Sequence, residues 1–553
     1  MTEKRSATAR RILLLVIGLL IAGVAVWQFY KYRIANRGIH DAVTGKSGGL
    51  YRIHYDDLTF DELGGSVHMK NIVIAPDTEV YHRLLEEKAN PAVLLTLHLP
   101  ALDITGVKTP KALLTRELQG GRIVIDSPVI ELAVNPARQE ADTSAVSDDP
   151  VRDMARQLLG KLAKISVDSV QLNHATLSIR DMQTGDIVYR FDNVDLSLSE
   201  LLIDPGSHAD TSRILFSRGF SIACEKLLFP SKKKKYKTEI EQLRYASLNN
   251  SLEIGRMRVE PQYSEEEFAR ISRTQIDRYD FLLENIRLSH IDRRSFWSRI
   301  IADSLVVGNS SFKVYHDLSY PRDSVSKVGK YPQQLLMKLG LPLSIRTAVF
   351  THSFIEYKEK NPKSGHAGKV QFFDVRAVIG NITNMPAGIA RNDQCVVSLH
   401  ASFLRAAPLN ARLVLLLKDE KGRFHVSGDM GSLDVHSLNP LSEPMGLARM
   451  EKGEVEHTHF DLDCDDSSAT GKVEILYKEL RISVLKADKE EDKLDKRGLA
   501  SLAASVMIKR SNPAGKEQPR ISEVHYPRIL NRSMFALIWK SIFTGVKETV
   551  GMK

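Results

Sequence analysis

Apolar and polar side chains alternate with a period of two along much of this chain, which predicts strands. The pattern runs through YRIHYDDLTF (51–60), SVHMKNIVI (66–74), AVLLTLHL (92–99), RIVIDSPVIELAV (122–134), ISVDSVQL (165–172) and ATLSIRD (175–181). A later β region comprises RLVLLLK (412–418), RFHVSGDM (423–430) and GKVEILYKELRISVL (471–485), and SLAASVMIKR (501–510) resumes strand character. The period becomes helical in few places. Val151, Met154, Ala155, Leu158, Leu159 and Leu162 form one apolar stripe over 151–162. SEEEFARIS (264–272) opens with a serine and three glutamates, a helix N-terminal signature. The segment 136–150 has almost no bulky apolar residue and reads as an exposed loop, and 486–498 reads as a charged loop or frayed helix. The expected class is therefore mainly β with isolated helices.

Ile12 to Tyr30 carries no charge and is flanked by Arg10 and Arg11 before it and Lys31, Arg33 and Arg37 after it. Nineteen helical residues span roughly 28 Å, enough for bilayer hydrocarbon. Trp27, Phe29 and Tyr30 suit the interface. The segment reads as a signal anchor; the alternative is a signal peptide cleaved near Gly23-Val24-Ala25. The anchor also explains the charge. Residues 1–37 hold seven Lys/Arg and one Glu, so they carry +6 of the total +9 and leave +3 for the rest. That balance gives no support for a nucleic-acid partner. Cys224, Cys395 and Cys464 are odd in number and far apart, which fits neither a disulfide framework nor a zinc spacing.

A unit of about 180 residues recurs. Tyr51, Leu58, Ser66 and Pro76 return at an offset of 185 as Tyr236, Leu243, Ser251 and Pro261. LLGKL (158–162) returns as LLMKL (335–339), and 166–181 returns in outline as 344–359, with His174 over His352. Phe191-Asp192 falls on Phe373-Asp374. The expected organisation is a tip and anchor (1–37), a first β repeat (38–230), a second (231–405), a further β region (406–530) and a terminal helix (531–553).

Leu413, Leu415 and Leu417 share one face of their strand, while Val414 and Leu416 make the other face apolar as well. This fits either a second core or an apolar channel. In the terminal helix Met534, Leu537, Ile538, Ile542, Val546 and Val550 share a face, beside an aromatic stripe of Phe535, Trp539 and Phe543. Two readings suit it: docking at a bilayer interface, or closing the open end of the β structure.

Catalytic and ligand signatures are weak. Gly45-Lys46-Ser47 imitates the end of a phosphate loop, but Gly38 is misplaced for one. Asp461, Asp463 and Asp465 have calcium-loop spacing, yet Asp466 and Lys472 stand where glycine and glutamate belong. His457, His459 and Cys464 read as an exposed strand face, and Lys232 to Lys235 as a solvated tip that could meet anionic head groups. No catalytic residue, cofactor or metal site is expected.

The anchor, the glycine-flanked strand pair GGLYRIHYDDLTFDELGGSVHMKNIVI and the C-terminal blocks 463–485, 507–516 and 533–551 resemble the AsmA-like family of bacterial envelope proteins. The resemblance implies an elongated, curled β-groove related to bridge-like lipid-transfer proteins. It further implies an inner-membrane anchor, a periplasmic body, and phospholipid acyl chains held along apolar walls. Groove candidates are then Val167, Leu177, Ile179, Leu413, Leu415 and Leu417. Candidates for docking a membrane or an envelope partner are Met534, Leu537, Ile538, Trp539, Ile542 and Phe543. The rival reading is an envelope tether or assembly factor that carries no lipid.

Overall fold

The computed structural model describes residues 47–553 apart from 62–63, 88–90, 92, 108–116, 136–158, 160–162, 208–209, 211, 231–234, 294–298, 489–492, 497–507 and 553. Among the described residues no helix is long and apolar enough to cross a membrane. The expected anchor at 12–30, the loop at 136–150 and all but Leu159 of the helix at 151–162 lie outside them. The chain divides into two compact units, Met1–Arg256 with His290–Phe296, and Met257–Ser289 with Trp297–Lys553. Both are mainly β.

In the first unit β1 (Tyr51–His54) and β2 (Asp57–Asp61) lie end to end along antiparallel β3 (Ser66–Pro76). The single strand expected at 51–60 is thus two. Helix α1 (Thr78–Glu86) follows, capped by Asp77 Oδ1, which accepts from the Glu79 and Val80 N–H groups. β4 (Val93–Thr105) pairs with β3, and then with both β5 (Glu117–Asp126) and β6 (Val129–Val134). Those two short strands run parallel to β7 (Lys164–Asp181), so 122–134 is also two strands. β8 (Ile187–Ile203), β9 (Gly219–Pro230) and β10 (Tyr236–Ala246) continue antiparallel from β7. β11 (Ser251–Pro261) leads into the second unit.

There α2 (Glu265–Ser272) carries the capping box read from the sequence, Ser264 with Glu267. β12 (Arg278–Ser289) is antiparallel to both β13 (Ile300–Val307) and β14 (Ser310–Asp317), and these run parallel to β15 (Leu343–Lys360). Helix α3 (Pro332–Met337) precedes β15. β16 (Ala367–Thr383), α4 (Pro386–Arg391), β17 (Gln394–Phe403), β18 (Ala407–Leu416) and β19 (Phe424–Met430) follow, with the strands antiparallel in order. The succession of strand, helix, strand, two short strands parallel to a long one, and two hairpins therefore occurs twice. After β20 (Leu433–Asp434) and α5 (Asn439–Gly446), β21 (Ala448–Cys464) and β22 (Ser468–Asp488) form a long hairpin beside β19. β23 (Lys493–Lys496) and β24 (Ile521–Pro527) both pair with β22, and α6 (Met534–Val550) ends the unit. The segment 486–498, read as loop or frayed helix, thus carries strand pairing. In the segment 501–510, read as strand, the described residues 508–510 lie outside any strand.

Left-handed residues punctuate these strands. His174, Asn193 and Glu200 have φ of 54°, 53° and 51°, and the corresponding His352, Asp374 and Asn381 have 51°, 46° and 60°. Strand register thus sets Phe191 on Phe372 and Asn193 on Asp374, one residue off the match of Phe191-Asp192 with Phe373-Asp374 expected from the sequence. A left-handed residue inside a strand makes a bulge, which bends the strand and shifts the alternation by one. In β7, Val170 and Leu172 are buried before His174, and Ala175 and Ile179 after it. The parity changes from even to odd, yet one face stays apolar.

Candidate functional site

The apolar face of the second unit is built by register. Across β17, β18, β19, β21 and β22, one row reads Cys395, Leu415, Phe424, Cys464 and Ala469. The adjacent row on the same face reads Val397, Leu413, Val426, Leu462 and Gly471. The opposite face carries Arg412, Ser427, Asp461 and Lys472.

Helix α6 lies over this apolar face. Leu537 is 2% exposed and belongs to the sheet core, and Met534, Ile538, Ile542 and Val546 pack against the same core. Gly545 makes the approach possible, since a Cβ there would sit 2.6 Å from Val473 Cβ. Ser522 Oγ donates to Gly545 O at 2.9 Å and shares a hydrogen bond with Thr549 Oγ1 at 2.9 Å. The helix therefore covers the sheet with the stripe that the sequence offered for docking. Trp539 lies against Phe403 and stacks with Phe543, which is 42% exposed.

The other candidates divide. Leu415 and Leu417 are buried core, and Leu413 is half-buried against them. Val167 and Ile179 are each 2% exposed, while Leu177 is half-buried between in-register Ile130 and Phe191.

Sequence reading missed the part of the face that α6 leaves more open. Phe281, Phe312, Ile355, Phe372 and Phe403 are directly in register on β12, β14, β15, β16 and β17. Phe281, Phe312, Ile355 and Phe372 are half-buried, and Phe403 is fully buried near Trp539. Ring centroids are 5.6 Å apart for Phe281 and Phe312 and 5.6 Å for Phe372 and Phe403. Phe535 of α6 packs edge-on against Phe372. The signal for this row in the sequence is an aromatic at one phase of four of its five strands, with Ile355 on the fifth, and it becomes meaningful only when the register is known.

A polar group lies beside the row, four residues along β14 and β15 from Phe312 and Ile355 and just ahead of β12. Asp277 Oδ1 bonds His316 Nδ1 at 2.7 Å, and its other oxygen meets Lys327 and, at 3.2 Å, the Tyr279 hydroxyl. Burial alone would raise the Asp277 pKa, but the His316 hydrogen bond and the Lys327 charge outweigh it and hold the carboxyl well below the usual range. Glu359, in register with His316, accepts from the Tyr357 hydroxyl at 2.8 Å and pairs with Arg532 at 3.4 Å and Lys540 at 3.8 Å. Burial and the Glu359 charge push the Tyr357 hydroxyl pKa well up. Arg532 and Lys540 thus tie the start of α6 to β15.

The other chemical candidates resolve into structure. Asp461 and Asp463 lie on β21 beside His425, at 3.5 and 3.0 Å, whereas Asp465 caps the following turn by accepting from Ser467 and Ser468. His457 and His459 both reach Asp429, at 3.3 and 2.8 Å. Among the described residues no cluster could hold a metal ion. Ser47 Oγ accepts from the Tyr51 N–H, while Gly38, Gly45, Lys46 and Lys232 to Lys234 lie outside the described residues. Cys224, Cys395 and Cys464 are buried free thiols. Neither a protein-family model nor a curated protein matches this chain.

Proposed function

We propose that this chain is a membrane-anchored envelope protein that takes phospholipid acyl chains along the apolar face of its sheets and assists lipid movement between membranes. In this reading the repeated strand succession is a duplicated unit of an elongated, curled, AsmA-like groove. The segment 12–30 anchors it in a bacterial inner membrane, and the body occupies the periplasm. The observation that carries the reading is the in-register row Phe281, Phe312, Ile355, Phe372 and Phe403, half-buried over most of its length and leading beneath α6. Each methylene removed from water there contributes about 0.8 kcal/mol, so holding an acyl chain needs no covalent step and no catalytic residue.

A photoreactive amino acid placed at Phe312 tests the reading, with Lys313 on the opposite face as control. Phospholipid adducts at Phe312 and none at Lys313 are expected in cells. Equal adducts, or none at either position, would sink it.

The burial of Val167, Ile179, Leu415 and Leu417 favours a second reading, a tether whose apolar face is only a core. That reading expects no lipid adduct at Phe312 and a protein adduct at exposed Phe543.

A further inference from the structure

The recurring strand succession places a cleft at the same position in each unit, on the polar face beside the His174 or His352 bulge. The cleft of the first unit is about 440 Å³ and that of the second about 560 Å³. Register aligns them residue by residue. Gln171, Ser197, Ser221 and Ala246 form one row of the first cleft, and Val349, Val378, Ser398 and Arg412 form the matching row of the second. The next row is Asp195, Ala223 and Arg244 in the first and Arg376, His400 and Asn410 in the second.

The strand positions match and the charges do not. The first cleft is lined by Arg244 against Asp195 and Glu253, and the second by Arg376 and Arg412 against Asp429. The carboxylates near the second are already engaged. Asp374 pairs with Arg376 at 2.9 Å and meets the His352 ring at 2.8 Å, while the rings of His457 and His459 lie against Asp429 and that of His425 against Asp461. The Arg412 side chain is exposed and makes no hydrogen bond or ion pair among the described residues. It stands directly between Ser398 and Ser427, two hydroxyl donors in register on either side. His400 is held at Nδ1 by Asn410 at 2.8 Å. Beside this group Val378 exposes 48% of its surface.

The geometry points to a binding site for a phosphate oxyanion in the second cleft, centred on Arg412 with Ser398 and Ser427. A guanidinium fork flanked by hydroxyls suits a tetrahedral oxyanion. The adjoining valines suit a short apolar substituent on it. The phosphate could be a lipid head group or a free phosphate. The site lies on the face opposite the aromatic row and does not depend on acyl chains being carried there.

The test is titration of the purified full chain with inorganic phosphate and, separately, with dihexanoyl phosphatidic acid below its micelle concentration, by calorimetry. Binding of either ligand is expected, weakened roughly tenfold or more by Arg412→Ala and less by Arg412→Lys. Preference for the lipid identifies a head-group site, and equal binding identifies a free-phosphate site. Ala246→Arg should add a second equivalent in the first cleft. Arg412 is exposed, so a preserved melting transition separates lost binding from lost fold. No binding of either ligand, or unchanged binding in Arg412→Ala, would overturn the proposal.

Discussion

His352 Nδ1 lies 2.8 Å from Asp374 Oδ1, and both residues hold left-handed backbone on adjacent strands. One side-chain hydrogen bond thus joins two bulges. It is the largest of the interactions that lower the Asp374 pKa, ahead of the Arg376 charge. In the first unit the matching bulges are at His174 and Asn193, and the His174 N–H donates to Asp195 Oδ1 at 2.9 Å. The bulge line is therefore kept by different bonds in the two units, which makes backbone conformation its common element.

Backbone conformation at 352 can be tested directly. His352→Val should cost about 1–2 kcal/mol, because a β-branched residue resists positive φ. His352→Gly should cost less, since glycine accepts that backbone and only the Asp374 bond is lost. Urea unfolding of both variants decides it. Equal losses would mean that the side chain, and not the backbone, sets the bulge.

Gly545→Val should loosen α6. The new side chain would collide with Val473 and Val524, and overpacking of this kind costs about 1–3 kcal/mol. Hydrogen exchange should rise across 534–550 before it rises in β21. Uniform exchange throughout the unit would mean that the helix and sheet unfold together.

Asp277→Asn should destabilise the chain by about 3 kcal/mol at pH 7, because it leaves Lys327 without its buried partner. The folded-state carboxyl lies below its unfolded value near 3.9, so its contribution is full above that pH and fades as the pH falls through the window beneath it. The gap between variant and parent in denaturant titrations should therefore narrow only below about pH 4. A gap unchanged down to pH 2.5 would assign Asp277 to packing alone.

The three thiols should resist alkylation in the folded chain at pH 8. Burial pushes Cys224 and Cys395 up to about 11 and Cys464 up to about 12, so the reactive thiolate is scarce. Mass spectrometry should find modification only after denaturant is added. Rapid labelling of Cys464 in buffer would mean that the face beneath α6 opens readily.

Alternation made most strands of this fold legible, and the capping box at Ser264 made α2 legible. It could not announce that 51–60 and 122–134 each break into two strands, since a corner or a jog leaves the apolar count unchanged. Parallel pairing of β5 and β6 with β7 was equally silent, because pairing is a property of two segments and periodicity of one. The repeat offsets found His174 over His352 but not why those positions matter, which is a backbone angle. Leu537 and its neighbours were recognised as an apolar stripe. A stripe states that something must cover it, and only the structure supplies β22 and β24. Arg412 drew no notice because a lone arginine on a strand is ordinary until Ser398 and Ser427 stand beside it.

α6 follows in sequence every strand whose face it covers. A ribosome that has finished β18 must add on the order of a hundred more residues before Leu537 exists, which takes on the order of ten seconds at ordinary elongation rates. For that interval the rows through Leu413 and Phe403 have no helix above them. The order of synthesis therefore gives any apolar partner outside the chain access to that face before the C-terminal helix can reach it.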